Sequence, residues 1–225
     1  MIKNSPRIST NRKRDLTDEL RLTHPLFLQN YYLVSDIKEY LTSLPSYSII
    51  VDIGCGTKPY QEYVKKDSKY IGVDIDSENE NVDINSSVYD IDLPEDFADY
   101  IVSFQVLEHL EEPGLMLKEA SRILKKGGEI YLTFPMAEEL HEEPYDFFRY
   151  TEHGIKYLLE KNGFNNLVII RQGTNAANLG RKLVVKLHSR RYLKWSVPLT
   201  NYIFFKLENR QGGDVMNYGV KATKS

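Results

Sequence analysis

Short β-branched runs, each stopped by a glycine or an acidic residue and followed by a connecting segment, recur along this chain, and that alternation leaves few folds open. Ser48–Ile53 ends at Gly54-Cys55-Gly56, Tyr70–Ile75 follows, Asn81–Ile84 is a weaker run, and Tyr100–Phe104 and Glu129–Phe134 continue the series. Apolar runs of this length suit parallel strands covered on both faces. Leu26–Leu41 repeats apolar residues at helical spacing and stops before Pro45, a helix-length segment begins near Pro59, and Leu115–Leu124 carries one apolar face closed by Gly127-Gly128. Thr151 reads as the N-cap of a helix through Ile155, Leu158 and Leu159 that ends at Asn162-Gly163. Phe164–Arg171 and Val215–Ala222 supply the last strands. Strands alternating with helices predict an α/β fold, a doubly wound and mostly parallel sheet of the Rossmann-like kind.

At 225 residues the chain has room for one main core. We divide it into an N-terminal arm and helix (1–45) and a ligand-binding domain (46–225) with an insertion at about 173–214. Residues 1–21 read as a loose arm; Met1–Arg14 holds five basic residues with no apolar run behind them, so it does not read as a secretory signal. The 29 Lys and Arg against 32 Asp and Glu give a net charge of −3, which disfavours a nucleic-acid partner. A lone cysteine, Cys55, excludes an internal disulfide and a thiol-rich zinc site, and fits a cytoplasmic protein. No stretch approaches the ~18 apolar residues of a membrane span.

In doubly wound sheets ligands sit beyond the carboxyl ends of the strands. Gly54 and Gly56 let the backbone approach a ligand, with Asp52 to orient the loop or accept from a ligand amine. Pro59 stands where a dinucleotide fingerprint wants a third glycine. The second strand ends at Asp74, 18 residues beyond Gly56, where a carboxylate takes both hydroxyls of a ribose. From Asp74 to Asp99 there are ten acidic residues and no basic one, a rim that suits a nucleoside carrying a cation rather than a pyrophosphate.

Asp52-Ile-Gly-Cys-Gly56, Gly72-Val-Asp74, Asp92-Leu-Pro94, Val106-Leu-Glu-His109 and Leu124-Lys-Lys-Gly-Gly128, in that order, resemble a class I S-adenosylmethionine-dependent methyltransferase over about residues 48–172. The resemblance implies S-adenosylmethionine as cofactor. Gly54, Cys55 and Gly56 would line its methionine part, Asp74 and Ile75 its ribose, and Gln105 with Val106 would lie beneath the methionine. The position that caps the adenine amine in similar sequences is here Tyr89, which moves that role to Asp90 and its neighbour Ile91. In related quinone O-methyltransferases a Glu three residues before the Glu-His pair helps hold a metal; Gln105 occupies that place, so no metal is expected.

His141-Glu-Glu-Pro-Tyr-Asp-Phe-Phe-Arg-Tyr-Thr151 is similar to a segment of bacterial methyltransferases associated with cell-surface glycans. It makes Glu142, Tyr145, Asp146, Arg149 and Tyr150 candidate acceptor-binding residues and implies a sugar or glycan hydroxyl as acceptor. A sugar hydroxyl is a poor nucleophile and gains from a general base. His141 is the first candidate and His109 its rival. A quinone, polyketide or other small aromatic acceptor, and a non-catalytic cofactor-binding scaffold, are the competing readings. In the insertion, Arg181–Lys194 carries six basic residues and no acidic one, read as a solvated helix face with peripheral contact to anionic lipid as the alternative. Trp195–Leu207 is apolar and aromatic and reads as core or as a homodimer contact.

Overall fold

The computed structural model describes residues 15–225, so the basic cluster of Met1–Arg14 lies outside the described residues. The described end of the expected arm is ordered. Asp15 caps one helical turn, α1 (Leu16–Glu19), by accepting from the N–H groups of Thr17 and Asp18 at 3.0 and 3.2 Å. Helix α2 (Phe27–Ser43) follows where the apolar spacing places it.

Seven strands form one sheet: β1 (Ile49–Ile53), β2 (Lys69–Asp74), β3 (Ile84–Asn85), β4 (Ala98–Phe104), β5 (Leu124–Pro135), β6 (Phe164–Gln172) and β7 (Asn217–Lys224). Their order is β3-β2-β1-β4-β5-β7-β6, parallel throughout except that β7 runs antiparallel between β5 and β6. The chain leaves β1 toward β2 on one side and later returns to β4 on the other. The crevice beyond the carboxyl ends of β1 and β4 is therefore the switch point at which such sheets bind ligands.

Alternate side chains of each strand go to opposite faces. Val51, Ile53, Ile101, Ile130 and Leu132 are covered by α3 (Pro113–Ile123) and α4 (Glu152–Lys161), the latter capped by Thr151, whose hydroxyl accepts from the Gly154 N–H at 3.1 Å. Ile50, Val102, Phe104 and Tyr131 face α2, which buries Val34, Ile37 and Leu41 against them. Each aliphatic side chain buried this completely contributes about 1.5–3 kcal/mol.

The structure departs from the sequence expectation between β1 and β2. Instead of a helix from Pro59 there is a single 3-10 turn, Gln61–Tyr63. The face that a crossover helix would cover is taken by α2, and Tyr60, Tyr63 and Val64 pack beside it. The insertion folds into α5 (Asn175–Ser189) and α6 (Val197–Leu207). The two helices cross at Gly180, where an added Cβ would sit 2.5 Å from Phe204. Arg181 is not solvated as expected but buried, donating to the Ala137 carbonyl at 2.8 Å. Trp195–Leu207 is core on one side only: Val197 and Asn201 are buried and Phe204 and Phe205 pack on a buried cluster, whereas Trp195 is 75% exposed. No helix among the described residues is long and apolar enough to cross a membrane.

Candidate active site

Strand β1 delivers Asp52 and the Gly54–Gly56 turn to the switch point. The N–H groups of Gly54 and Cys55 both donate to the Val73 carbonyl, at 2.8 and 3.1 Å, folding the turn back onto β2. Gly54 and Gly56 have φ of 77° and 49°, the left-handed region that favours glycine. Their surroundings differ. A Cβ on Gly54 would lie 2.5 Å from Val106 Cγ2, whereas a Cβ on Gly56 would meet nothing within 4 Å. Gly54 thus lets the ends of β1 and β4 close together, and Gly56 borders open space.

The Gly56 N–H donates to Asp74 Oδ2 at 2.9 Å, which joins the turn to the end of β2. Three residues that the sequence reading passed over complete this unit. Asn79 Nδ2 donates to the Gly56 carbonyl at 2.8 Å; Lys58 pairs with Asp83, whose carboxylate also accepts from the Gly72 N–H at 2.7 Å. These bonds hold residues 79–83 against the turn, and β3 is shortened to two residues. The acidic rim is shorter than expected. Asp99 accepts from the Ile49 N–H at the start of β1 and pairs with Lys125, and Asp96 pairs with Lys224, all at the opposite edge of the sheet.

Asp52 is 2% exposed. Burial pushes its carboxyl up to about 7, although the Tyr70 hydroxyl donates to Oδ2 at 2.6 Å and pulls the other way. Oδ1 is buried without a hydrogen-bond partner. A buried acceptor left open beside the turn fits the ammonium of a methionine moiety, and the space at Gly56 fits its backbone approach. Cys55 is buried against Gly72, and burial pushes its thiol up, so it packs rather than reacts. Gln105 has φ 57° and is bonded to Thr133 through its N–H at 2.9 Å and its side-chain amide at 3.2 Å, which sets Val106 against Gly54. Ile75 and Asp90 are exposed beside the crevice. Ile91 is a core residue, fixed to α3 by Glu119 and Arg122. The Tyr89 hydroxyl accepts from the Glu112 N–H at 3.3 Å, so its ring lies toward α3.

Residues 136–150 run from the end of β5 over the 3-10 turn Leu107–His109 at the end of β4. The N–H groups of Phe147 and Phe148 donate to the Glu108 carbonyl at 2.9 and 3.2 Å, and the buried Tyr150 hydroxyl donates to the Leu107 carbonyl at 3.0 Å. This clamp brings together two histidines 32 positions apart, with ring centroids at 4.9 Å. His109 Nδ1 is 2.7 Å from the Tyr145 carbonyl, an acceptor only, so that nitrogen carries hydrogen. Nε2 is 3.7 Å from a carboxylate oxygen of the fully buried Glu108 and 4.0 Å from Glu142. His141 Nδ1 faces two acceptors, the Glu139 carbonyl at 3.2 Å and Asp146 Oδ2 at 3.4 Å, against one donor, Arg149, at 3.4 Å. Two acceptors, one of them charged, place the hydrogen on Nδ1 and leave Nε2 as the basic nitrogen.

Arg149 holds Asp146 with two bonds, at 2.5 and 2.8 Å, and this keeps the Asp146 carboxyl well below the usual carboxylate range. Asp146 and Arg149 thus spend their charges on each other and on His141. Glu142, Tyr145, Phe147 and Phe148 of the same segment keep partly or largely exposed side chains. The sequence reading expected no metal and saw no histidine cluster. The structure assembles Glu108, His109 and His141 with ligand-capable atoms within 4.8 Å of one another, a grouping invisible in sequence because it depends on the clamp.

A family model described as a methyltransferase domain matches residues 26–168. The tRNA (carboxymethyluridine(34)-5-O)-methyltransferase of Arabidopsis thaliana is 29% identical over 134 residues, 55% of this chain; the match spans about a third (32%) of that relative. Among solved structures, a SAM-dependent methyltransferase from Archaeoglobus fulgidus superposes with a TM-score of 0.61 at 20% identity, covering 86% of this chain and 94% of that one. A Haemonchus contortus phosphoethanolamine N-methyltransferase, in complex with phosphomonomethylethanolamine and S-adenosylhomocysteine, gives 0.55 at 13% identity, covering 95% of this chain and 60% of that one.

Proposed function

The chain belongs to the S-adenosylmethionine-dependent methyltransferases, and from that premise we propose that it methylates a hydroxyl oxygen of a sugar or glycan, with His141 as the base. The observation that carries this reading is the histidine pair at the catalytic edge, each ring bonded through Nδ1, with His141 Nε2 as the basic nitrogen. A carboxylate is already ionised and needs no such group, whereas a hydroxyl gains about 10²–10⁴-fold from one, an alcohol most of all.

S-Adenosylmethionine supplies an electrophilic methyl group on a sulfonium, and the pair of the broken C–S bond returns to sulfur. Asp52 Oδ1 would hold the amino group of its methionine, Gly54 and Gly56 would let the turn lie against it, and Asp74 would take the ribose hydroxyls. Asp90 would reach the adenine edge, with Ile75 against the ribose and Gln105 and Val106 as the floor. As the acceptor oxygen bonds to the methyl carbon, its proton passes to His141 Nε2. Asp146, kept anionic by Arg149, orients the ring and stabilises the imidazolium that forms. Glu142 and Tyr145 would hold the acceptor. Orientation of the reactants is worth up to ~7–11 kcal/mol in such a displacement.

A second reading, a small aromatic acceptor, draws on Phe147 and Phe148, both about two-fifths exposed on the same segment. The test is transfer from labelled S-adenosylmethionine to a cell-surface glycan extract, a panel of phenols and quinols, and bulk tRNA. Label in the glycan supports the proposal, and label only in phenols or tRNA replaces the acceptor. No transfer to any of them favours a scaffold. With an acceptor in hand, His141→Ala lowers kcat by about 10²-fold or more and flattens its pH profile, with cofactor affinity unchanged. If His109→Ala alone does this, His109 is the base. A chelator leaves kcat unchanged on this account; loss restored by a divalent ion assigns the Glu108, His109 and His141 cluster to a metal.

A further inference from the structure

Outside the catalytic edge, the feature least explained by the fold is the outer face of α5 and α6. Residues 181–207 contain seven basic residues and no acidic one, in a chain whose net charge is −3. Arg181 is spent internally, while Lys182, Lys186, Arg190, Arg191, Lys194 and Lys206 are exposed. Among these charges stand large apolar side chains in contact with water: Leu199, Ile203 and Leu207 on one stripe of α6, Leu179 on α5, and Tyr192 and Trp195 between the helices. The inward face of α6 already packs on the core through Val197, Asn201 and Phe204, so its outward apolar stripe has no structural duty.

We propose that this face docks on an anionic lipid bilayer. Aliphatic residues on an outward stripe would enter the acyl boundary, tryptophan and tyrosine suit the headgroup level, and the lysines and arginines would meet lipid phosphates. A nucleic acid would use the charges and the aromatics but not Leu199, Ile203 and Leu207. A second copy of the chain would bring like charges together. Helix α5 is fastened to the protein by its inward side, where the buried Arg181 donates to the Ala137 carbonyl at the end of β5. The docking is independent of the acceptor's chemistry.

Trp195 is the only tryptophan, so it reports on its own burial. The full-length protein is mixed with vesicles of phosphatidylcholine alone and of phosphatidylcholine with phosphatidylglycerol, and followed by co-sedimentation and tryptophan emission. The expected result is pelleting and a blue shift with the anionic vesicles only, weakened by salt. Lys182→Gln with Lys186→Gln should lower partitioning about thirty-fold, the equivalent of about 1 kcal/mol for each lysine removed. Leu199→Ser with Ile203→Ser should weaken it further, while the circular dichroism of both variants stays that of the parent. Absence of pelleting on anionic vesicles overturns the proposal. So does a blue shift that follows protein concentration without lipid, which would mark self-association, or one produced by RNA and not by lipid. Neither result bears on cofactor binding or methyl transfer.

Discussion

Gly54 and Gly56 look alike in sequence and separate in the structure. At Gly54 a Cβ has both a left-handed φ and a 2.5 Å collision with Val106 against it. Gly54→Ala should therefore destabilise the fold by more than ~1 kcal/mol and abolish cofactor binding with it. Gly56→Ala meets only the left-handed penalty of roughly 1–2 kcal/mol, because the added methyl enters open space. Thermal melts should show most of the fold retained, while titration with S-adenosylhomocysteine shows a loss larger than the melt implies. Asp52 carries a second prediction, with its sign set by burial. Its folded pKa, about 7, lies above the unfolded value, so this group costs the ligand-free protein stability as pH rises from about 4 to 7. Asp52→Asn should melt at a higher temperature than the parent at about pH 8, with the gap shrinking toward about pH 5, and should bind cofactor less tightly. A gap that does not change with pH would show that Asp52 is ionised throughout. That Asp52, the glycines and Asp74 meet was readable from their spacing, because they stand at strand ends and the Gly56 N–H reaches Asp74. Lys58, Asn79 and Asp83 were not, because their work is bonding to backbone atoms whose positions only the folded turn defines.

The elements most legible in sequence were those whose period settles them: the strands, α2, α3 and the capped α4. The absent crossover helix after β1 shows where period reading fails. Whether a segment of moderate helical character becomes a helix depends on free sheet surface, and α2 had already taken it. Residues 141–151 read as an acceptor-binding segment in sequence, but the segment's internal order was not legible there, since Asp146 and Arg149 turn to each other rather than outward. This gives a prediction at the scale of the element. Asp146→Asn removes the anion that Arg149 and His141 share, so it should lower kcat by loosening the orientation of the ring, with acceptor KM little changed. A change in acceptor KM alone would place Asp146 in binding instead. The pair also makes the clamp acid-sensitive. Asp146 is held below its unfolded pKa, so its contribution to stability is present above the ordinary carboxylate range and is lost as pH falls through the folded value.

Across the whole molecule, the strand order places every candidate group at one edge. β1 ends in the glycine turn, β2 in Asp74, β4 in the turn bearing His109, and β5 in the segment bearing His141. The opposite edge holds ion pairs such as Asp99 with Lys125, which fasten strand starts and line no ligand space at the switch point. This polarity follows from the parallel run of β1, β2, β4 and β5, and it explains why four short motifs scattered over about 90 residues come to one edge. The central claim is that the edge binds S-adenosylmethionine through Asp74 and the turn. Isothermal titration of S-adenosylhomocysteine into the parent and Asp74→Ala, with NAD as the control ligand, tests it most directly. The account predicts one site in the parent, weakened about a hundredfold or more in Asp74→Ala as two charge-assisted hydrogen bonds worth about 1.5–3 kcal/mol each are lost, and no heat from NAD; equal affinities in the two proteins, or tighter binding of NAD, would contradict it.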